Sequence, residues 1–163
     1  MKISIIGCGY VGTVTGVCFA DLGHDIVFYD IDTGKLDLLS QGESPIYEPS
    51  LEELLRKNRQ RLVTTSDLTA AVRDTDITFI CVGTPSREDG SIDLTYVLSA
   101  AATIGKALQG TPDFHPIIVK STVFPGSTEG QIRLALEEAS GKQAFLDFGL
   151  GSNPEFLREG NAV

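Results

Sequence analysis

The sequence predicts an α/β fold in which a doubly wound parallel sheet of six strands carries helices on both faces. Six short hydrophobic runs alternate with segments of helical periodicity along the 163 residues, and no internal repeat interrupts this order. Such alternation is typical of parallel sheets built from βαβ units with right-handed crossovers. A glycine-rich turn follows the first hydrophobic run, where doubly wound folds place it. We therefore expect a Rossmann arrangement with strand order 3-2-1-4-5-6, in one domain that covers residues 1–163.

The glycine-rich turn carries most of the functional information. It follows the predicted strand Lys2–Ile6 and opens a predicted helix, which is the context that a dinucleotide-binding motif requires. The first glycine permits a tight turn, the second lets the backbone approach a pyrophosphate, and the third lets the helix pack closely on the strand. The helix amino terminus then offers unpaired N–H groups to the phosphates. The predicted cofactor-binding residues of this turn are Gly7, Gly9, Tyr10, Val11 and Gly12.

An acidic residue stands at the expected distance from this turn. The second predicted strand, Ile26–Tyr29, ends in Asp30, eighteen residues after Gly12. A carboxylate there accepts hydrogen bonds from both hydroxyls of an adenine ribose and repels a 2′-phosphate, so NAD is favoured over NADP. Lys35 follows within reach of the ribose edge, although a solvated surface lysine is the alternative. Glycine turns of this kind also occur as plain structural turns and in methyltransferases that bind adenosyl cofactors.

Composition excludes several classes of partner. The formal net charge of −9 argues against nucleic acid, because phosphate contacts need clustered Lys and Arg. A hydrophobic content of 42% is ordinary for a soluble protein. No stretch is long and apolar enough to span a bilayer, and Met1-Lys2 leads into a strand without a signal-peptide pattern. We expect a cytoplasmic protein without a membrane partner.

The three cysteines are expected to be structural. Cys8 lies within the glycine turn, Cys18 falls on the apolar side of the first helix, and Cys81 ends a hydrophobic run. Their spacing is not that of metal ligands, and three is an awkward number for a disulfide framework. Buried cysteines usually behave as small hydrophobic residues, so no metal site and no nucleophile is predicted here.

The middle of the chain is expected to hold two short helices. The sequence from Ile31 to Gly34 predicts a turn, and Lys35–Gln41 a helix. The segment Gly42–Pro49 predicts a loop, since it holds two prolines and a glycine. Ser50 and Glu53 have the spacing of a capping box ahead of a helix over Leu51–Arg59.

Four later hydrophobic runs predict the remaining strands, namely Arg61–Thr65, Ile77–Val82, Ile117–Lys120 and Phe145–Leu150. The expected intervening helices are one capped by Ser66-Asp67 and running through Val72, one capped by Asp93 over Leu94–Leu108, and one capped by Ser127 or Thr128 and running to Ala139. Ligands of open α/β sheets bind outside the carboxyl ends of the strands. The turns after the fourth and fifth strands are therefore expected beside the cofactor.

Five segments, taken in order, resemble one known family, the UDP-glucose/GDP-mannose dehydrogenases. They are Gly7-Cys8-Gly9-Tyr10-Val11-Gly12, Pro45-Ile46-Tyr47-Glu48-Pro49, Val82-Gly83-Thr84-Pro85, Lys120-Ser121-Thr122-Val123 and Asn153-Pro154-Glu155-Phe156-Leu157-Arg158-Glu159-Gly160. The glycine motif is generic, whereas the other four together are specific. The second and fifth resemble the UDP-glucose branch more than the N-acetylhexosamine branches, with the GDP-mannose branch as the alternative.

This resemblance implies a reaction and its residues. Two successive hydride transfers to NAD would oxidise the primary alcohol of a nucleotide sugar to a carboxylate through a cysteine-bound thioester. UDP-glucose is the leading candidate for this nucleotide sugar. The implied catalytic residues are Thr122, Glu155 and Glu159, with Glu155 handling water or protons in the hydrolysis. The implied cofactor-binding residues are Lys35, Val82, Gly83, Thr84, Pro85, Ser121, Thr122 and Glu159. The implied substrate-binding residues are Glu155, Phe156, Leu157, Arg158 and Glu159.

Without the resemblance, these acidic residues have plainer interpretations. Glu155 and Glu159 are four apart and share a face if their segment is helical, where a solvated surface would also suit them. Considered without the family, Thr122 is an ordinary threonine at a strand end or turn. Tyr47 and Glu48 could simply order a loop.

One departure from the family pattern stands out, because the nucleophilic cysteine and the oxyanion-stabilising lysine lie downstream of the last motif. None of Cys8, Cys18 and Cys81 matches that position. We therefore expect a cofactor domain from a larger homo-oligomeric enzyme, able to bind NAD but not to complete the oxidation, with a monomer as the alternative state for this domain alone. A non-catalytic NAD-sensing module is the rival of a different class.

Overall fold

The structure, a computed structural model, describes residues 1–163 and contains one parallel sheet of six strands. The strands are β1 (Lys2–Ile6), β2 (Asp25–Tyr29), β3 (Leu62–Thr65), β4 (Ile77–Ile80), β5 (His115–Val119) and β6 (Phe148–Ser152). Their spatial order is β3-β2-β1-β4-β5-β6, and every neighbouring pair is parallel. The predicted fold class and strand order are confirmed.

Six α-helices connect these strands. They are α1 (Tyr10–Asp21), α2 (Thr33–Gln41), α3 (Leu51–Lys57), α4 (Leu68–Arg73), α5 (Thr95–Ala107) and α6 (Arg133–Ser140). A 3₁₀ turn, Arg59–Arg61, follows α3, and a π-helical turn, Thr128–Ile132, leads into α6. None of the helices combines the length and the hydrophobicity that crossing a lipid bilayer requires.

The central strands are buried on both faces. Adjacent residues of a strand point to opposite sides of the sheet. In β1, Ile5 joins a hydrophobic cluster with residues of α1, α2 and α3, whereas Ile6 joins the cluster with residues of α4, α5 and α6. Both side chains are fully buried. This two-sided burial explains why the strands appear in the sequence as continuous hydrophobic runs.

One predicted helix cap and one predicted helix start are wrong, for local reasons, whereas α3 begins at Leu51 as predicted. Ser50 has a left-handed backbone (φ 65°) and makes no side-chain cap, so the predicted capping box with Glu53 does not form. The helix α2 begins at Thr33, within the predicted turn, because the Asp32 side chain accepts a hydrogen bond from the Gly34 N–H at 3.0 Å. The predicted Asp67 cap does form, and its carboxylate accepts from the Ala70 N–H at 3.1 Å.

Two further boundaries differ near the end of the chain. Ser127 makes no side-chain cap, and the π-helical turn separates it from α6. The last strand begins at Phe148 rather than Phe145, because Phe145 has a positive φ of 67°, which extended backbone does not allow. Asp93 does accept from the Thr95 N–H at 2.9 Å, although α5 begins one residue later than predicted.

A buried polar chain crosses the amino-terminal end of the sheet. The His115 ring lies 2.8 Å from the Thr78 hydroxyl, which lies 2.7 Å from the Ser4 hydroxyl. Thr75 donates to Ser4 at 3.1 Å. Burial lowers the pKa of His115, and of the nearby charges Asp76 raises it while Lys142 lowers it. The folded chain therefore favours a neutral imidazole at this position.

We expect the free energy of unfolding to fall as the pH drops from about 7 to 5.5. The unfolded chain takes up a proton near its ordinary pKa of about 6.5, whereas folded His115 resists protonation, so its stabilising contribution is present above that pH and is lost below it. Each unit of pKa displacement corresponds to about 1.4 kcal/mol. Urea denaturation of His115→Gln should show a flatter dependence of the free energy of unfolding on pH than the wild-type chain shows. Equal slopes for the wild-type chain and His115→Gln would contradict this expectation.

Candidate functional site

A cavity of about 690 Å³ opens at the carboxyl ends of the central strands. It is bordered by the turns that follow β1, β2, β4 and β5, and by one face of α5. Its lining residues are Ile6, Gly7, Gly9, Tyr10, Val11, Tyr29, Asp30, Ile31, Asp32, Lys35, Leu68, Cys81, Val82, Gly83, Thr84, Tyr96, Ser99, Ala100, Thr103, Ser121 and Thr122. This is the position at which ligands of doubly wound sheets bind.

The three motif glycines have different roles in the turn after β1. Gly7 has a positive φ of 103°, and its N–H donates to the Tyr29 carbonyl at 2.8 Å. A Cβ on Gly12 would lie 1.9 Å from the Gly7 carbonyl oxygen, so the close approach of helix and turn requires glycine there. A Cβ on Gly9 would meet nothing within 4 Å. Space is therefore left beside Gly9, on the side of the cavity.

The amino terminus of α1 is open to an anion. No side chain caps it, and its first turn holds no acidic residue. Tyr10 and Val11, the first two residues of α1, line the cavity. Unpaired N–H groups and the positive end of the helix dipole favour a phosphate at this position.

Asp30 is fixed at the end of β2 and is only 7% exposed. One carboxylate oxygen accepts from the Cys8 N–H at 2.6 Å, and the other accepts from the Asp32 N–H at 2.9 Å. The Lys35 Nζ lies 3.5 Å from the first oxygen. A carboxylate offers about four acceptor positions, so both oxygens keep capacity for hydroxyl groups in the cavity.

Together these features fit an adenine dinucleotide. The turn and the α1 terminus would hold its diphosphate, and Asp30 with Lys35 would bind the ribose diol. The distance between the two elements is fixed by the Cys8–Asp30 hydrogen bond.

The turns after β4 and β5 are joined where they meet the cavity. The Ser121 hydroxyl donates to the Val82 carbonyl at 2.7 Å. Of the residues predicted in these two turns, Val82, Gly83, Thr84, Ser121 and Thr122 line the cavity. Pro85 lies outside its lining, as does Gly12 in the glycine turn, since Gly12 faces the Gly7 backbone instead.

The segment Asn153–Gly160 follows β6 and is not helical. The shared helical face considered for Glu155 and Glu159 is therefore wrong. The Glu155 carboxylate accepts from the Leu157 N–H at 2.7 Å, which is a local turn contact. None of Glu155, Phe156, Leu157, Arg158 and Glu159 lines the cavity, so their assigned roles stay predictions.

Sequence reasoning missed the far wall of the cavity. Tyr96, Ser99, Ala100 and Thr103 project from α5 into it. Their spacing of three, four and seven residues from the first is that of one helical face. Three hydroxyl-bearing residues and one alanine on one face of an otherwise largely apolar helix are the signal that identifies this wall.

Glu48, which is absent from the predicted site, is one of the most constrained carboxylates of the chain. It is 6% exposed and accepts from the Tyr10 hydroxyl at 2.5 Å, the Gly160 N–H at 2.7 Å and the Ala162 N–H at 2.9 Å. These bonds, led by the one from Tyr10, hold the pKa of Glu48 below its usual range. Desolvation and the bond to Glu48 raise the pKa of Tyr10 to about 12.

The cysteines are free thiols that the fold keeps protonated. Burial, with the neighbouring Asp30 charge, raises the pKa of Cys8 far above its ordinary value. Burial raises the pKa of Cys81, which borders the cavity, to about 12. Burial also raises the pKa of Cys18. None of them is an activated nucleophile, and no group of three or more His, Cys, Asp or Glu side chains comes together as metal ligands.

Comparison with known proteins gives a consistent picture. The family described as "UDP-glucose/GDP-mannose dehydrogenase family, NAD binding domain" matches residues 1–163. The chain is 47% identical over 165 residues to the GDP-mannose 6-dehydrogenase of Pseudomonas aeruginosa, covering all of this chain and 38% of that protein. It is 48% identical over 166 residues to the UDP-glucose 6-dehydrogenase of Rhizobium meliloti, again covering all of this chain and 36% of the relative.

Solved structures agree with the sequence matches. A ternary complex of GDP-mannose dehydrogenase from Pseudomonas aeruginosa superposes with a TM-score of 0.97 at 47% identity, covering 99% of this chain and 38% of that one. A UDP-glucose dehydrogenase from Pyrobaculum islandicum gives a TM-score of 0.92 at 45% identity, with 99% and 37% covered. The chain thus spans less than two fifths of the length of each of these relatives.

Proposed function

The chain belongs to the UDP-glucose/GDP-mannose dehydrogenase family and matches its NAD-binding domain. We propose that it is the NAD-binding domain of a nucleotide-sugar 6-dehydrogenase. In that role it binds NAD for the oxidation of a sugar primary alcohol to a carboxylate. We propose that this domain is part of a longer, homo-oligomeric protein. The rest of that protein would supply the nucleophilic cysteine and the oxyanion-stabilising lysine.

The observation that carries this proposal is the pairing of the open Gly9 position with the acceptor capacity of Asp30. The cavity beside Gly9 has room for a diphosphate to contact the protein backbone. The Asp30 carboxylate lies 2.6 Å from the Cys8 N–H of the same turn. Both ends of an adenosine diphosphate would thus be bound by elements whose separation is fixed. NAD, when bound, supplies the acceptor for the hydride.

The residues of this chain would bind and orient the reactants. Ser121 and Thr122 border the cavity at the end of β5, where Thr122 would bind the active-site water beside the cofactor. The segment Glu155–Glu159 would contact the nucleotide sugar through its backbone. Glu155 would handle the proton of the hydrolytic water, and Glu159 would lie near the nicotinamide.

For the sugar, we propose UDP-glucose, with GDP-mannose as the second candidate. Support for UDP-glucose comes from the Pro45–Pro49 and Asn153–Gly160 motifs and from the 48% identity to the Rhizobium enzyme. Support for GDP-mannose comes from the TM-score of 0.97 to the Pseudomonas enzyme. Initial rates of the complete enzyme with each nucleotide sugar, followed as NADH formation, would decide between them.

Calorimetry on the 163-residue chain tests the cofactor proposal directly. NAD at about 1 mM detects any binding free energy beyond about −4 kcal/mol. We expect a single-site isotherm with NAD and none with S-adenosylmethionine. Binding of S-adenosylmethionine without NAD would contradict the proposal. NAD binding by a complete protein that oxidises no nucleotide sugar would favour the sensing module instead.

A further inference from the structure

We propose that Glu48 is a positioning residue, which fastens the segment following β6 to the glycine-rich turn and thereby couples that segment to cofactor binding. This inference rests on the proposed function, since the coupling concerns the NAD cavity and the segment assigned to the sugar. Three stretches that are distant in sequence meet at one carboxylate. They are the start of α1, the loop Gly42–Ser50 and the stretch Gly160–Ala162.

The segment after β6 passes over the carboxyl ends of the strands before it reaches Glu48. The segment leaves the sheet at β6, where the Asn153 N–H donates to the Val119 carbonyl at 2.9 Å and the Lys120 Nζ donates to the Asn153 side chain at 2.9 Å. It reaches Glu48 beside the turn that follows β1. Because β4 and β5 lie between β6 and β1 in the sheet, the segment must cross the carboxyl edge of the sheet. That edge is where the sugar would meet the cofactor.

Few other contacts hold this crossing. Within it, Pro154, Phe156, Arg158 and Glu159 are exposed, and Phe156 is 94% exposed. Leu157 and Ala162 are partly buried against the hydrophobic cluster that includes α1 and α3. The two N–H bonds to Glu48, at 2.7 Å and 2.9 Å, are therefore the main polar attachment at the far end.

A carboxylate suits this position better than its amide. Glu48 accepts on both oxygens, two bonds on one and one on the other, and none of the ion pairs of the molecule involves it. A glutamine would present an N–H₂ group where one of these donors now points. Hydrogen bonds to a charged acceptor are the stronger kind, so the substitution Glu48→Gln removes a specific attachment with little change in shape.

Tyr10 makes the attachment sensitive to the cofactor. Its hydroxyl donates to Glu48, and Tyr10 itself belongs to the first turn of α1 and lines the cavity. A ligand that immobilises the α1 terminus also immobilises Tyr10, and through Glu48 it restrains Gly160 and Ala162. The segment would then be held most firmly when NAD is present.

Amide hydrogen exchange, read by NMR on the 163-residue chain, tests this assignment. In the wild-type chain without cofactor, the amides of Gly160 and Ala162 should be protected although their segment has no regular secondary structure. In Glu48→Gln, these two amides should exchange roughly 10- to 100-fold faster, with the strand amides of β1 and β4 unchanged. Glu43→Gln, an exposed carboxylate in the same loop, should behave as wild type.

A second comparison isolates the coupling. Saturating NAD should slow exchange of Gly160 and Ala162 in the wild-type chain, and this slowing should be lost in Tyr10→Phe, which keeps both N–H bonds to Glu48. A purely structural Glu48 would leave the NAD-dependent slowing intact in Tyr10→Phe. Unprotected amides in the wild-type chain, or acceleration spread equally over the whole sheet in Glu48→Gln, would overturn the assignment. Absence of NAD binding would count against the proposed function, while exchange without cofactor would still decide the attachment.

Discussion

Replacing Gly12 with alanine is expected to lower the free energy of unfolding by about 3 kcal/mol or more, because overpacking against rigid backbone is among the costliest single changes. The added Cβ would lie 1.9 Å from the Gly7 carbonyl oxygen and 3.1 Å from the Cys81 side chain. Since the first contact is with backbone, only a shift of α1 away from the turn relieves it. Urea denaturation followed by circular dichroism would measure the change.

Gly9→Ala is the matched control, because the same methyl group there meets nothing within 4 Å. Its φ of −79° is ordinary for alanine. We expect its stability to stay within about 1 kcal/mol of wild type, while NAD affinity falls because the methyl group occupies space beside the diphosphate. Equal loss of stability in both variants would contradict the conclusion that Gly12, but not Gly9, lacks room for a Cβ.

The second large effect concerns the choice of cofactor. We expect the chain to bind NAD about 100-fold more tightly than NADP, a difference of about 2.7 kcal/mol. A 2′-phosphate would face the buried Asp30 carboxylate, and juxtaposed like charges cost several kcal/mol in such a site. Titration calorimetry with each cofactor gives the ratio directly.

Asp30→Asn should reduce this ratio to about tenfold or less, since it removes the charge that repels the phosphate. NAD affinity itself should also fall, because an amide oxygen and an amide nitrogen cannot both accept from the Cys8 and Asp32 N–H groups. Asp37→Asn makes the same charge change on an exposed residue of α2 and should leave the ratio as it is. A ratio near 100 in Asp30→Asn would mean that another group excludes the 2′-phosphate.

The central strands β1, β2 and β4 were predictable because each is buried on both faces. The run Ile77–Ile80 has a single polar residue, the buried Thr78, so its hydrophobicity is enough to identify it. The placement of the glycine turn and Asp30 at one cavity was predictable because it depends on spacing along the chain. Errors were concentrated at helix caps and starts, where the conformation of one residue decides. Ser50 has a capping side chain but a left-handed backbone, which the residue type does not reveal.

Glu48 was not predictable in the same way. Its partners Tyr10, Gly160 and Ala162 lie 38, 112 and 114 residues away in the sequence. Two of its three bonds come from backbone N–H groups, which every residue except proline possesses. Only the folded path of the segment after β6 brings these donors to one carboxylate, so local pattern leaves Glu48 indistinguishable from a loop residue.

The buried thiols allow local opening of the fold to be measured by alkylation. Cys8 and Cys81 are 0% and 6% exposed, and an alkylating reagent reacts with a thiolate that it can reach. Modification of the fully buried Cys8 by iodoacetamide therefore measures how often the region around the glycine turn opens, whereas Cys81 borders the cavity itself. A cofactor seated above that turn would slow the labelling in proportion to its occupancy, so mass spectrometry of alkylated peptides could follow binding without any coloured or fluorescent group.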